Sequence, residues 1–208
     1  MKRIVSFLLL IVVYVPLLIM YPIIITGRRN IRRKGSIMLC ANHQSNMDPI
    51  IYWSRIFRRR FKYMAKDSLF KNRFIGYILS CVGAYPINRS STDMGAIKKT
   101  ISLLKNGKAL SIFPEGTRLK TSESNELKSG AIVFSLKTGT PIVPAFFRSK
   151  VRLFRFSRLV IGKEFDLAQE LGYCKGDKIT PEIINAGIKI LHDKMFELNK
   201  TKEKRNNE

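Results

Sequence analysis

Residues 4–25, IVSFLLLIVVYVPLLIMYPIII, are 22 consecutive residues without a charge. Nothing else in the chain restricts it as strongly, because a run this long and this apolar must leave water. As a helix it would extend roughly 33 Å, enough to cross the hydrocarbon core of a bilayer. A cleaved signal peptide would be shorter and followed by small residues. Here the run is followed by GRRNIRRK at 27–34, so the segment is expected to remain. Pro16 and Pro22 leave two geometries open: one spanning helix, or a pair of short helices lying in one leaflet. Tyr14 and Tyr21 suit an interface. Five basic residues follow the run, against Lys2 and Arg3 before it, which places the rest of the chain on the cytoplasmic face of the cell membrane.

Charge narrows the choice of partner. Lys and Arg total 38 against 15 Asp and Glu, a formal net charge of +23. Such an excess calls for an anion: nucleic acid, an acidic membrane surface or a phosphorylated substrate. The apolar N-terminus favours membrane lipids, and no nucleic-acid-binding motif is present. Cys40, Cys81 and Cys174 are widely spaced and odd in number, so they frame neither disulfides nor a metal site. With two isolated histidines, no protein-borne zinc is expected.

Beyond the basic linker, short apolar runs alternate with amphipathic segments. Strands are expected at 36–41, 61–65, 84–88, 109–113, 141–147 and 159–163. Helices are expected at 91–106, with Ile97, Ile101 and Leu104 on one face, and at 128–138, stopped by Gly139 before Pro141. In the last helix Thr180 serves as cap, Pro181 opens the first turn and Glu182 favours the positive end. Ile184, Ile188, Leu191, Met195 and Leu198 then form an apolar stripe. Alternation of this kind predicts an α/β fold with a mixed, largely parallel central sheet flanked by helices. The expected organisation is a membrane anchor and basic linker at 1–34, one domain at 35–199 and a polar tail at 200–208.

Active groups in such sheets sit in loops at the carboxyl ends of strands, and three polar clusters fall there: 42–48, 88–89 and 114–118. In the first, His43 and Asp48 are five apart, about 140° off-face on a continuous helix. Asp48 as an N-cap with Pro49 opening a helix over 49–55 would let the preceding loop fold His43 back to the carboxylate. A carboxylate on one imidazole nitrogen fixes the tautomer and frees the other nitrogen to take a proton from a hydroxyl. Spacing alone favours the plainer reading, a capping Asp beside a surface His. Nothing marks Ser45 as a nucleophile. In Phe113-Pro114-Glu115-Gly116-Thr117-Arg118, Gly116 permits a tight turn, Thr117 offers a hydroxyl and Arg118 can fork onto a phosphate, while Glu115 braces the loop. Arg89 is a second guanidinium at a strand end. Lys66, after the run at 61–65, is either a further phosphate contact or an exposed lysine. His192 lies about 80° from Ile184 on the last helix and reads as structural. The segment FFRSKVRLFRFSR at 146–158 mixes basic residues with four phenylalanines. Arg148, Lys150 and Arg152 would share one side of an extended strand there, as a basic surface strand or as a patch for anionic headgroups.

Taken together these blocks resemble a known family. NHQSNMD at 42–48 matches the NHxSxxD form of the H-x4-D motif of glycerolipid acyltransferases. GAYPINR at 83–89, FPEGTR at 113–118 and TPIVPA at 140–145 resemble that family's second, third and fourth blocks, in family order. The resemblance covers about 36–147 and is loose beyond 150. Leu119 departs from the Ser that often follows the third block. The resemblance implies a glycerol-3-phosphate acyltransferase-like fold. It also implies transfer of a fatty acyl group from a thioester to the sn-2 hydroxyl of lysophosphatidic acid, giving phosphatidic acid. His43 would be the general base and Asp48 its partner. Arg89, Arg118 and Lys66 would hold the acceptor phosphate, with Glu115, Gly116 and Thr117 shaping that loop. No resident cofactor is implied, only coenzyme A or acyl carrier protein as thioester carrier. A relative acting on another lysophospholipid or on glycerol phosphate is the near alternative. A non-catalytic, membrane-tethered anion binder is the distant one, and it leaves His43–Asp48 with FPEGTR unexplained.

Overall fold

The computed structural model describes residues 12, 16, 18–44, 48, 55–56, 59–88, 93–115 and 127–200. Seven strands, β1 (Ile23–Thr26), β2 (Ile37–Ala41), β3 (Phe61–Lys66), β4 (Ala84–Ile87), β5 (Ala109–Ile112), β6 (Ile142–Phe147) and β7 (Ser157–Ile161), form one sheet. Their order is β1-β7-β6-β2-β5-β3-β4. Pairing is parallel from β6 through β4 and again between β1 and β7, and antiparallel only between β6 and β7. The five parallel strands therefore end at one edge of the sheet, and β7 and β1 begin there. Helices are α1 (Arg73–Cys81), α2 (Met94–Lys105), α3 (Gly130–Thr138), α4 (Leu167–Leu171) and α5 (Pro181–Lys200). This is the expected mixed, largely parallel α/β sheet.

The centre of the sheet explains why the sequence reads as continuous apolar runs. All residues of β2 are buried, and so are all of β6, because helices and loops cover both faces. On one face Met38, Cys40 and Leu110 pack with Ile132, Phe134, Leu191 and Met195 from α3 and α5. On the other, Ile37, Leu39, Phe61 and Tyr63 pack with Ile31, Ile56 and Val151. Gly139 stops α3 in the left-handed conformation at φ 62°, as expected of a C-terminal glycine. The Thr180 hydroxyl accepts the Ile183 N–H in the first turn of α5.

Three expectations need correction. The uncharged run does not continue to residue 25 as a helix, since Ile23–Thr26 pairs with β7. The basic segment after it is also part of the packing. Ile31 is fully buried, the Asn30 amide donates to the Ile161 carbonyl at 2.8 Å, and Arg32 grips both oxygens of Glu164. Packing is thus continuous across residue 34. Residues 18–20 are helical, and among the described residues no helix is long and apolar enough to cross a membrane. Most of the run lies outside the described residues, as does the tail from 201. Second, the strand through 148–152 is absent: β6 ends at Phe147 and the chain turns until Ser157. The Arg148 guanidinium instead donates to the Leu198 carbonyl at 2.7 Å. Third, α1 and α4 form where no helix was expected. Asn72 caps α1, accepting the Phe74 and Ile75 N–H groups, and Asp166 caps α4.

Candidate active site

β2 lies between β6 and β5, so the residues leaving its end are flanked by the ends of both neighbours. Asn42 follows β2 directly and is buried. Its amide oxygen accepts the Phe147 N–H at 2.7 Å and its amide nitrogen donates to the Phe147 carbonyl at 3.1 Å. One side chain thereby replaces a full rung of the β2–β6 ladder. The Gln44 amide donates to the same carbonyl at 3.0 Å. His43 sits between these two anchors, so its backbone is fixed on both sides.

The imidazole is fixed as well. Its Nδ1 is 2.9 Å from Asp48 Oδ2, and the same oxygen accepts the Gln44 N–H at 2.7 Å. The Asp48 side chain is fully buried and that of His43 is 14% exposed. A buried carboxylate facing Nδ1 keeps the proton on that nitrogen and stabilises the imidazolium, so Nε2 is the nitrogen that can receive a proton. Asp48 is itself helical rather than the residue before the helix, and its carboxylate turns back to close the loop. Residues 49–54 of the expected helix lie outside the described residues. Phe113, just past β5, stacks on the imidazole at 4.3 Å between ring centres and 24° between planes, which limits its rotation.

Glu115 Oε2 accepts the His43 N–H at 3.0 Å. The carboxylate therefore braces the histidine's loop from the neighbouring strand end, beyond any part in its own turn. Burial holds the Glu115 carboxyl above the usual range, and Asp48 adds to this. The His43 N–H and the nearby imidazole work the other way. Arg89, Gly116, Thr117 and Arg118 lie outside the described residues. The ends of the turn carrying Arg89 are in view: Asp93 caps α2 and accepts the Asn88 N–H at 2.9 Å and the Ala96 N–H at 2.8 Å. Lys66 ends β3 and is exposed, two strands from β2 on the same edge. His192 is remote from these groups, stacked on Phe196 at 4.2 Å and 3.4 Å from Asp193. Sequence reasoning joined His43 to Asp48 and gave Glu115 a bracing role. It missed Asn42, Gln44 and Phe113, whose roles depend on which strands flank β2.

An imidazole aligned by a buried carboxylate at the carboxyl edge of a parallel sheet has the geometry that general-base chemistry requires. A model of the family described as Acyltransferase matches residues 22–148. A 1-acyl-sn-glycerol-3-phosphate acyltransferase of Borreliella burgdorferi is 37% identical over 124 residues, 59% of this chain and 49% of that protein, so the match spans about half of the relative's length. The Bacillus subtilis protein of the same name is 31% identical over 179 residues, 83% of this chain and 89% of that one. In fold, the chain is similar to the crystal structure of the 1-acyl-sn-glycerophosphate acyltransferase from Thermotoga maritima, with a TM-score of 0.66, 98% of each chain covered and 18% identity. The match from residue 22 begins with the sheet itself, one residue before β1, and with the Bacillus relative covered over most of its length the chain belongs to the acyltransferase family.

Proposed function

We propose that this acyltransferase moves a fatty acyl group from a thioester of coenzyme A or acyl carrier protein to the sn-2 hydroxyl of 1-acylglycerol-3-phosphate, giving phosphatidic acid. The observation that carries the reading is the His43–Asp48 pair, 2.9 Å apart with the carboxylate buried. The names of the Borreliella and Bacillus relatives support the choice of acceptor. Nε2 of His43 takes the hydroxyl proton as the oxygen attacks the thioester carbonyl. The tetrahedral intermediate collapses with loss of thiolate, and the imidazolium returns the proton to sulfur. Asp48 stabilises the imidazolium in between. Arg89, Arg118 and Lys66 hold the acceptor phosphate, with Glu115, Gly116 and Thr117 shaping the loop. The chemistry needs no resident cofactor. The N-terminal apolar segment, as one helix or a helix pair, holds the enzyme on the cytoplasmic side of the cell membrane, where its lipid acceptor resides.

The test is an assay of purified protein with an acyl thioester and a panel of lysophospholipids and glycerol phosphate, beside His43→Ala and Asp48→Asn. Turnover is expected with lysophosphatidic acid in the wild type and to be lost in His43→Ala. Equal turnover in the two would sink the mechanism, and turnover confined to another acceptor would sink the substrate assignment.

A further inference from the structure

Large apolar side chains exposed singly are ordinary on a protein surface, whereas a cluster of them is not. Here their distribution is lopsided. Among the described residues, those left exposed lie in the N-terminal segment, in β1, or in segments that follow the carboxyl ends of β3, β4 and β6. The segments after β3, β4 and β6 leave the sheet at the edge that carries His43, and the N-terminal segment enters β1 there.

Two flanks stand out. On one side of the catalytic loop, β6 ends at Phe147, the residue held by Asn42 and Gln44, and the chain turns through 148–156. Phe146 and Phe147 are buried, but Phe154 is 65% exposed and Phe156 77% exposed. Phe154 has φ 54° and is the one non-glycine residue with positive φ among the described residues. A bulky side chain at positive φ is strained. Here the strain accompanies an aromatic ring turned to solvent rather than into the core. The turn is tied to the N-terminal segment, since Phe154 N–H donates to the Met20 carbonyl at 2.6 Å and Ser157 N–H to the Pro22 carbonyl at 3.0 Å. Lys150, Arg152 and Arg155 are interleaved with these rings, and no acid occurs between 148 and 158. On the other side, past β5 and β3, Leu69 and Phe74 are exposed, Phe74 by 73%, beside Lys71 and Arg73. Asp67 is the sole acid from 66 to 77.

We infer that the carboxyl edge of the sheet is a docking face for an anionic lipid surface, with the aromatic turn at 150–156 and the start of α1 as two footholds on either side of His43. Charge complementarity and continuity with the apolar N-terminal segment select lipid as the occupant: cations at headgroup level, aromatic and aliphatic side chains just below. This deepens the proposed function by giving its lipid acceptor a direction of approach. It does not depend on turnover, because binding is read without it.

The experiment uses the full chain with Phe154→Trp, Phe74→Trp or Lys108→Trp, each read as a difference from the parent, which contains Trp53. Lys108 precedes β5 at the opposite edge. The chains are added to vesicles of phosphatidylglycerol and phosphatidylcholine, with and without acyl chains brominated near the carbonyl end. Phe154→Trp and Phe74→Trp are expected to shift to the blue and lose at least half their added emission to bromine, while Lys108→Trp does neither. Changing Lys150, Arg152 and Arg155 to Glu in the Phe154→Trp chain is expected to abolish the quenching on anionic vesicles. Vesicle-bound chain in which all three reporters stay unshifted overturns the inference, as does equal quenching at Lys108. Quenching that survives the charge reversal overturns the choice of an anionic surface.

Discussion

Asn42 offers the sharpest test of how the fold holds the loop that carries His43. Its amide is buried and makes both bonds that a backbone partner would make to Phe147, at 2.7 and 3.1 Å. Asn42→Ala removes both. The Phe147 N–H then loses its acceptor in a place water does not reach, which costs about 1–3 kcal/mol, and the second bond adds about 1 kcal/mol. A loss of roughly 2–4 kcal/mol corresponds, at about 2–4 °C per kcal/mol for a chain of this size, to a fall in Tm on the order of 10 °C. Asn42→Asp separates geometry from charge. It keeps the oxygen that faces the Phe147 N–H, but sets a carboxylate oxygen against the Phe147 carbonyl. At neutral pH it should therefore be less stable than Asn42→Ala despite matching asparagine in shape. Once protonated, the carboxyl can donate to that carbonyl as asparagine does, so Asn42→Asp should regain stability towards about pH 4 while Asn42→Ala does not. Thermal unfolding followed by circular dichroism in mild detergent reads all three. An alanine variant within 1 or 2 °C of wild type (about 0.5 kcal/mol), or an aspartate variant with the alanine variant's pH profile, would refute the idea that this side chain completes the ladder.

Asp48→Asn keeps the shape of the site but loses the charge that stabilises the imidazolium, so kcat should fall by about 10²–10⁴ with KM little changed; a loss confined to KM would mean that Asp48 serves binding. Glu115→Gln retains an acceptor for the His43 N–H without the buried charge. Because burial raises the folded-state pKa of Glu115, its protonated form is favoured on folding, and its contribution to stability falls as pH rises from the ordinary carboxyl value of 4.5 through the raised value. Wild-type Tm minus variant Tm should therefore shrink as pH rises from about 4 to about 7, and a growing difference would show that the carboxylate is net favourable where it lies. Gly27 has φ 77° and a Cβ there would lie 2.0 Å from the Ile161 carbonyl oxygen, whereas Gly107, at φ 68°, has nothing within 4 Å. Gly27→Ala should thus cost at least about 2 kcal/mol and Gly107→Ala about 1 kcal/mol, by denaturant titration; equal costs would show that β1 is not held against β7.

What the sequence disclosed and what it hid divide along local and non-local lines. The strands β2 to β7 were legible within a residue or two because they are short apolar runs, and three of the six, β2, β5 and β6, are buried along their whole length. β1 was illegible because Ile23–Thr26 closes a 22-residue uncharged stretch. Only its pairing with β7, more than 130 residues away in sequence, makes it a strand. The helix at Arg73–Cys81 was hidden by Gly76, which weakens the local signal. The glycine has a packing reason: a Cβ at Gly76 would stand 3.2 Å from the carbonyl oxygen of Phe70, in the turn just before the helix. Arg148, Lys150 and Arg152 were expected along an extended strand, yet β6 ends at Phe147, and Phe146 and Phe147 go in while Phe154 and Phe156 go out, a split set by where β7 has to begin. In the site, His43, Asp48 and Glu115 were named because their chemistry is local to motifs. Asn42, Gln44 and Phe113 were not, because each acts across a strand boundary.

One residue joins the proposed catalytic base to the turn inferred to face lipid. Phe147 ends β6, receives the side chains on both sides of His43, and begins the turn that carries Phe154 and Phe156. If that turn sets the depth at which the protein sits on a bilayer, the height of the imidazole above the lipid is set by the same residue, through two side chains rather than a flexible linker. The acceptor in the proposed reaction carries its hydroxyl on the glycerol, between a phosphate in the headgroup layer and an acyl chain below. A base held at fixed height beside cations at headgroup level can meet that hydroxyl without drawing the acyl chain far out of the hydrocarbon, a step that would cost about 0.8 kcal/mol for each CH₂ exposed. A consequence follows for substitutions far from the chemistry. Replacing Phe154 and Phe156 by Ser should lower turnover of long-chain acceptor in vesicles at least tenfold. The same change should leave turnover of a short-chain acceptor, soluble as monomers, within twofold of wild type. Equal losses on both acceptors would mean that the turn supports the active site directly and not through the membrane.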